Sequence, residues 1–214
     1  MPAQSVHDAF EASCARYPDN DFLYVPRAAC TAYSENALRF RYRDSAALVA
    51  ELRSAYGGAA SAGVSRVGLM LQNRPEFFHH WLALNSLGIS VVPLNHEMTA
   101  AELAYIVDHC QLRAVVALPA LSATISGLRE SAASPFVAFT PDRIPAQWEA
   151  QGPAPGPPGR SDECALLYTS GSTGAPKGCV LSNDYFLRSG ERYLALGGLC
   201  RLEPGRDRCI TPLP

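Results

Sequence analysis

Between residues 168 and 178 the chain reads YTSGSTGAPKG. Thr169, Ser170, Ser172 and Thr173 carry hydroxyls, Gly171, Gly174 and Gly178 carry no side chain, and Lys177 carries the one charge. The stretch follows the apolar run CALLY and contains little that could fill a core. A strand that ends in a glycine and hydroxyl loop presents backbone N–H groups that neither helix nor sheet consumes, and small side chains let a polyanion approach them. Four hydroxyls add donors, and the ammonium of Lys177 adds a compact positive charge, a set suited to a triphosphate. The Walker pattern G-x-x-x-x-G-K-[ST] is not met: after the four residues that follow Gly171 comes Pro176, and Lys177 is followed by Gly178. No G-x-G-x-x-G follows a strand either. On composition alone a plain flexible Gly/Ser loop stays an alternative, but it supplies no reason for a lysine between Pro176 and Gly178.

Other chemistry is poorly supported. His79 and His80 are adjacent, which on a helix turns their side chains about 100° apart, and no H-E-x-x-H spacing occurs. Seven cysteines (Cys14, Cys30, Cys110, Cys164, Cys179, Cys200 and Cys209) form no C-x-x-C pair and are odd in number, so reduced, mostly buried thiols are expected and no metal ligands are assigned. The net charge of -2, with Lys and Arg scattered, argues against nucleic acid as a partner. The amino end has neither a cationic start before an apolar block nor a stretch able to span a bilayer, so no transmembrane segment and a cytoplasmic location are expected.

The elements that must position the loop alternate. SVHDAFEASCARYP has helical period with Ser5 as N-cap; LRFRYRD alternates as a strand; SAALVAELRSAYG reads as a helix closed at Gly57. SRVGLML, SVVPL, RAVVAL and PFVAFT read as strands. Between them come RPEFFHHWLALNSLG, with Pro75 in its first turn and Gly88 at its end, TAAELAYIVDHC, and a helix within 119–131. Apolar strands separated by helices predict an α/β fold of layered, mostly parallel sheets flanked by helices. The proline- and glycine-rich stretch around 145–162 reads as a surface connection. Beyond it ECALLYTS is a strand, CVLSNDYFLRSGERYLALGG a short strand and a helix capped by Ser182 or Asn183, and DRCITPLP a final strand.

The loop resembles the phosphate-loop signature of the adenylate-forming (AMP-binding) enzymes, [ST]-S-G-[ST]-T-G-x-P-K-G, which residues 169–178 match at every position. The segments FRYRDSAALVAELRSAY, VGLMLQNRPEFFHHWLALNSLGISVVPLN and TPLP are similar to that superfamily's early regions. VPLNHEMTAAELAYIVDHC resembles its acyl-CoA ligase branch, and PKGCVLSNDYF its carnitine- and crotonobetaine-CoA ligases. The resemblance implies a two-step reaction. A carboxylate attacks the α-phosphorus of Mg2+-bound ATP to form acyl-AMP and pyrophosphate, and coenzyme A then takes the acyl group. It implies phosphate binding by Thr169, Ser170, Gly171, Ser172, Thr173, Gly174, Lys177 and Gly178, with Thr173 and Lys177 as catalytic residues; an ionised carboxylate needs no general base.

The same resemblance implies an organisation: an N-terminal subdomain at 1–144, a connection at 145–162, and at 163–214 the start of a second sheet that carries the loop. The remaining large domain and a small C-terminal domain, with the adenine, ribose, magnesium and acid sites, are expected outside this chain. The chain alone is therefore expected to be inactive, as a fragment. Delivery of the acyl group to a carrier protein, and a truncated non-catalytic nucleotide-binding module, are the alternatives. The acid partner, of fatty acid or carnitine type, is not specified by these residues.

Overall fold

Strands whose residues are apolar on both faces can be buried only between two layers of helices, and that is how this chain folds. The computed structural model describes residues 2–169, 176–198 and 201–209. Helices α1 (Val6–Arg16), α2 (Arg27–Cys30), α3 (Tyr42–Ser61), α4 (Pro75–Ser86), α5 (Ala100–His109), α6 (Ser122–Ser131) and α7 (Asn183–Ala195) accompany strands β1 (Asp21–Val25), β2 (Leu38–Arg41), β3 (Arg66–Met70), β4 (Ser90–Pro93), β5 (Ala114–Ala117), β6 (Val137–Phe139), β7 (Glu163–Thr169) and β8 (Lys177–Ser182). The main sheet has the order β6-β5-β3-β4-β7-β8. Its first five strands are parallel, and β8 returns antiparallel to β7. The α/β class predicted above is the observed one.

Alternate strand residues feed two cores. Val67, Leu69, Val91, Val116 and Ala165 pack with α1, α3 and α4, while Met70, Val92, Val115, Ala117 and Leu166 pack with Leu103, Ile106, Val107 and Leu128 of α5 and α6. Deleting one such leucine to alanine removes about 2–5 kcal/mol.

Helix ends follow from local chemistry. Ser5 Oγ accepts from Asp8 N at 3.0 Å while the Asp8 carboxylate accepts from Ser5 N, so the expected cap is a reciprocal one. α3 departs from expectation at both ends. It starts at Tyr42, within the segment read as strand, because the Asp44 carboxylate accepts from Arg41 N at 3.1 Å and closes β2 after four residues. It also runs through Gly57 to Ser61, since Tyr56 and Ala59 are fully buried and their packing outweighs the weak helix propensity of glycine. The stop comes at Gly63, whose φ of 76° allows Gly63 N to reach Ala60 O and Val64 N to reach Ala59 O, a Schellman closure. α4 ends the same way at Gly88, as the sequence indicates. β1 and the short α2 were not evident from the sequence; β1 pairs antiparallel with β2 in a separate ribbon.

One further expectation changes. The segment from residue 163 onward does not begin a second sheet: Ala165 of β7 is the neighbour of Val91 of β4, so β7 and β8 extend the first. The reason is that Cys164, Ala165 and Leu166 are apolar on both faces and find partners on each side of that sheet. The connection at 145–162 runs over the surface and is held to the domain, Gln151 N donating to Ala62 O at 2.7 Å and Trp148 packing edge-on to Phe139. DRCITPLP falls partly outside the described residues; Asp207, Arg208 and Cys209 are in no strand.

Candidate functional site

β7 runs parallel to β4 and delivers Thr169 at the carboxyl end of the strand, and β8 starts directly at Lys177. Thr169 and Lys177 are cross-strand partners, which places their side chains on one face of the hairpin, and both residues are exposed. Ser170, Gly171, Ser172, Thr173 and Gly174 lie outside the described residues. The two ends of the expected phosphate loop are thus brought together by the β7–β8 ladder, with a hydroxyl and an ammonium adjacent.

Gly178 faces Tyr168 across the ladder rather than standing in the loop. A Cβ there would lie 3.2 Å from Tyr168 Cζ, 3.4 Å from its Oη and 3.2 Å from Leu166 Cδ1, so the Tyr168 ring occupies the space that glycine leaves. Tyr168 Oη and His109 Nδ1 are 2.6 Å apart, and His109 stacks on Tyr105 with centroids 5.4 Å apart and planes 20° from parallel. Burial, and after it the neighbouring Cys110, raise the Tyr168 phenol well above its ordinary pKa, so it is a neutral donor at physiological pH. Tyr168, Tyr105 and His109 are not among the site residues read from the sequence above. The available signal was an aromatic and an imidazole at i and i+4 at the end of α5.

Two polar contacts fix the start of β7 and the end of β8. Arg66 of β3 holds Glu163 with two hydrogen bonds, Nε to Oε1 at 2.7 Å and Nη2 to Oε2 at 2.6 Å. Burial alone would raise the Glu163 carboxyl, but the bonds and charge of Arg66 hold it below its usual range. Ser182, one of the two candidate caps, is the cap of α7: its Oγ accepts from Tyr185 N. Asn183, the other candidate, is fully buried instead. Its Oδ1 accepts from Val6 N at 3.1 Å and from Asn85 Nδ2 at 2.9 Å, and its Nδ2 donates to Gly159 O at 3.0 Å. One side chain thereby ties α7 to the amino end of α1, to α4 and to the connection before β7.

Among the described residues, the one group offering three ligand atoms within 4.8 Å is His7, Asp8 and Glu11. Asp8 is already engaged by the amides of Gln4 and Ser5, and His7 lies 3.7 Å from Glu11 in an i, i+4 pair, so helix capping and side-chain pairing explain the cluster. No helix among the described residues is long and apolar enough to cross a membrane.

Fold and loop stem together define an α/β domain with a hydroxyl- and lysine-bearing hairpin loop at a strand's carboxyl end. The model of the AMP-binding enzyme family matches residues 10–214, and the chain belongs to that family. It is 31% identical over 205 residues to a sulfoacetate–CoA ligase of Cupriavidus necator, covering 92% of this chain and 36% of that protein. It is 31% identical over 163 residues to a crotonobetaine/carnitine–CoA ligase of Proteus mirabilis, covering 69% of this chain and 31% of that one. The chain thus spans about a third of the length of these curated relatives. The fold is also that of the anthranilate CoA ligase AuaEII in complex with anthranoyl-AMP, with a TM-score of 0.71 at 20% identity, covering 91% of this chain and 37% of that one.

Proposed function

We propose that the protein to which this chain belongs is an ATP-dependent, AMP-forming carboxylic acid–CoA ligase. The observation that carries this is the match of residues 169–178 to the family's phosphate loop, with Thr169 and Lys177 paired at its stem. In this function the hydroxyls of Thr169, Ser170, Ser172 and Thr173 and the backbone amides of the loop grip the β- and γ-phosphates. Lys177 neutralises the charge that develops on pyrophosphate as the acid's carboxylate attacks the α-phosphorus. The contribution is positioning and leaving-group stabilisation, and no side chain of the loop has to move a proton. Gly171 and Gly174 let phosphate approach the backbone, while Gly178 serves the stem by making room for Tyr168.

Mg2+ would enter with ATP: no residue of 169–178 is a carboxylate, and Mg2+ prefers carboxylate and phosphate oxygens. The other two thirds of a protein of the relatives' length would supply the adenine, ribose, acid and coenzyme A contacts, in the rest of the large domain and a small C-terminal domain, so this chain alone is inactive. A cytoplasmic enzyme acting on a small carboxylate is the form we favour, with carnitine, crotonobetaine and sulfoacetate the first acids to assay.

The test is acid-dependent exchange of labelled pyrophosphate into ATP by the whole protein. Lys177→Ala should slow it by roughly a hundred- to a thousand-fold, the scale for losing one preorganised electrostatic contact. A rate within threefold of wild type would remove Lys177 from the mechanism. Attack of the coenzyme A thiol on acyl-AMP, which forms the thioester and releases AMP, separates the ligase from an enzyme that loads a carrier protein.

A further inference from the structure

The loop hangs from a two-stranded hairpin whose outer strand, β8, is the edge of the sheet, and its residues from Lys177 to Val180 are all exposed. Such a strand has neighbours on one side only, so something beyond the ladder must hold its register if the loop is to meet a phosphate in a defined place. On the α5 side the described part of the hairpin makes a lateral contact through the 2.6 Å approach of Tyr168 Oη to Nδ1 of the exposed His109. His109 is held in turn by stacking on Tyr105, its i−4 neighbour on α5, so the imidazole is braced by a regular helix rather than by a loop. Tyr168 immediately precedes Thr169, the first residue of the signature, and its ring covers Gly178, which immediately follows Lys177. Thr169 and Lys177 both adjoin residues locked by this one contact.

We propose that Tyr105 and His109 clamp Tyr168 and thereby set the stem of the 170–176 loop, making His109 a positioning residue for the nucleotide; the nucleotide part rests on the ATP-dependent function proposed above. One hydrogen bond joins the Tyr168 hydroxyl to the His109 imidazole at Nδ1. Loss of either partner frees the ring to swing off Gly178, and the hairpin ends then sample a wider range of separations. The glycine is part of the device. A methyl at residue 178 would press on the ring at Cζ, 3.2 Å away, and a ring held by His109 through its hydroxyl has little room to give.

The experiment compares whole-protein wild type, His109→Ala, Tyr168→Phe and the double variant by amide hydrogen exchange of peptides spanning residues 163–182 and by the Mg-ATP dependence of pyrophosphate exchange. Each single variant should speed exchange in the hairpin, and raise the KM for ATP, by roughly fivefold, the effect of losing one neutral hydrogen bond, with kcat within twofold. The double variant should be no worse than the larger single, because both remove the same bond. His109→Asn, which returns an amide oxygen near the Nδ1 position, should recover most of the loss. Faster exchange throughout the domain would mark a merely structural role and overturn the proposal, as would additive effects or a loosened hairpin with an unaltered ATP KM. Should wild type show no ATP-dependent exchange with any acid, the proposed function fails, and the clamp is judged by hydrogen exchange alone: unchanged hairpin exchange in His109→Ala overturns it.

Discussion

The two adjacent histidines of α4 should make this domain labile to mild acid. His79 Nε2 lies 3.1 Å from Ser45 Oγ, and His80 Nδ1 lies 2.7 Å from Tyr56 Oη, both at the contact between α3 and α4. Their residues are 4% and 2% exposed. Burial pushes both imidazoles down to about 4, His79 adding to the effect on His80. In the unfolded chain they take up protons near the ordinary 6.5. Between these values the unfolded state binds more protons than the fold, so stability is full above about pH 7 and falls on acidification through the window from about 6.5 to 4. At pH 5 the linkage amounts to about 2 kcal/mol for each histidine, hence about 4 kcal/mol for the pair. That is a large share of a typical domain's 5–15 kcal/mol. The assay is guanidinium unfolding followed by tryptophan fluorescence at a series of pH values from 7.5 to 4.5. His79→Gln with His80→Asn keeps an amide near each hydrogen-bonding position and cannot titrate. This pair should flatten the pH dependence whatever it does to stability at pH 7.5, leaving the smaller contribution of His7, whose pKa burial also lowers. A wild-type stability that is level from pH 6.5 to 4.5, or a slope that the double variant leaves intact, would refute the assignment of these rings as buried and neutral.

Two other expectations bear on the connection and the thiols. Gly63→Ala should destabilise the domain by more than about 2 kcal/mol in the same unfolding assay, because φ at this position is 76° and an added Cβ would lie 2.3 Å from Gly152 O; Gly57→Ala, at a helical position with nothing within 4 Å, should be neutral or slightly stabilising. Brief alkylation without reductant should label the exposed Cys179 and Cys209 first and leave the buried Cys110 and Cys164 unlabelled, since burial raises the latter two thiols, Cys164 to about 12; mass spectrometry that found a disulfide among these four would overturn the expectation of reduced thiols.

The sequence by itself determined the class of fold and the family signature of the loop, because both rest on local signals. Apolar strands such as RVGLM and AVVA can only be buried between helix layers, and residues 169–178 match the family's signature at every position. Helix caps at Ser5 and Ser182 were legible for the same reason, since their partners lie three residues away. Tertiary structure decided what depended on distant residues. α3 passes Gly57 because Tyr56 finds His80, and it stops where Gly63 meets the connection at Gly152. β7 joins the first sheet because Val91 offers Ala165 a neighbour. The place of Gly178 was hidden for the same reason. In the sequence it is one more glycine of a phosphate loop, whereas in the fold it lies under a tyrosine held by an imidazole 59 residues before it, a contact that no local pattern encodes.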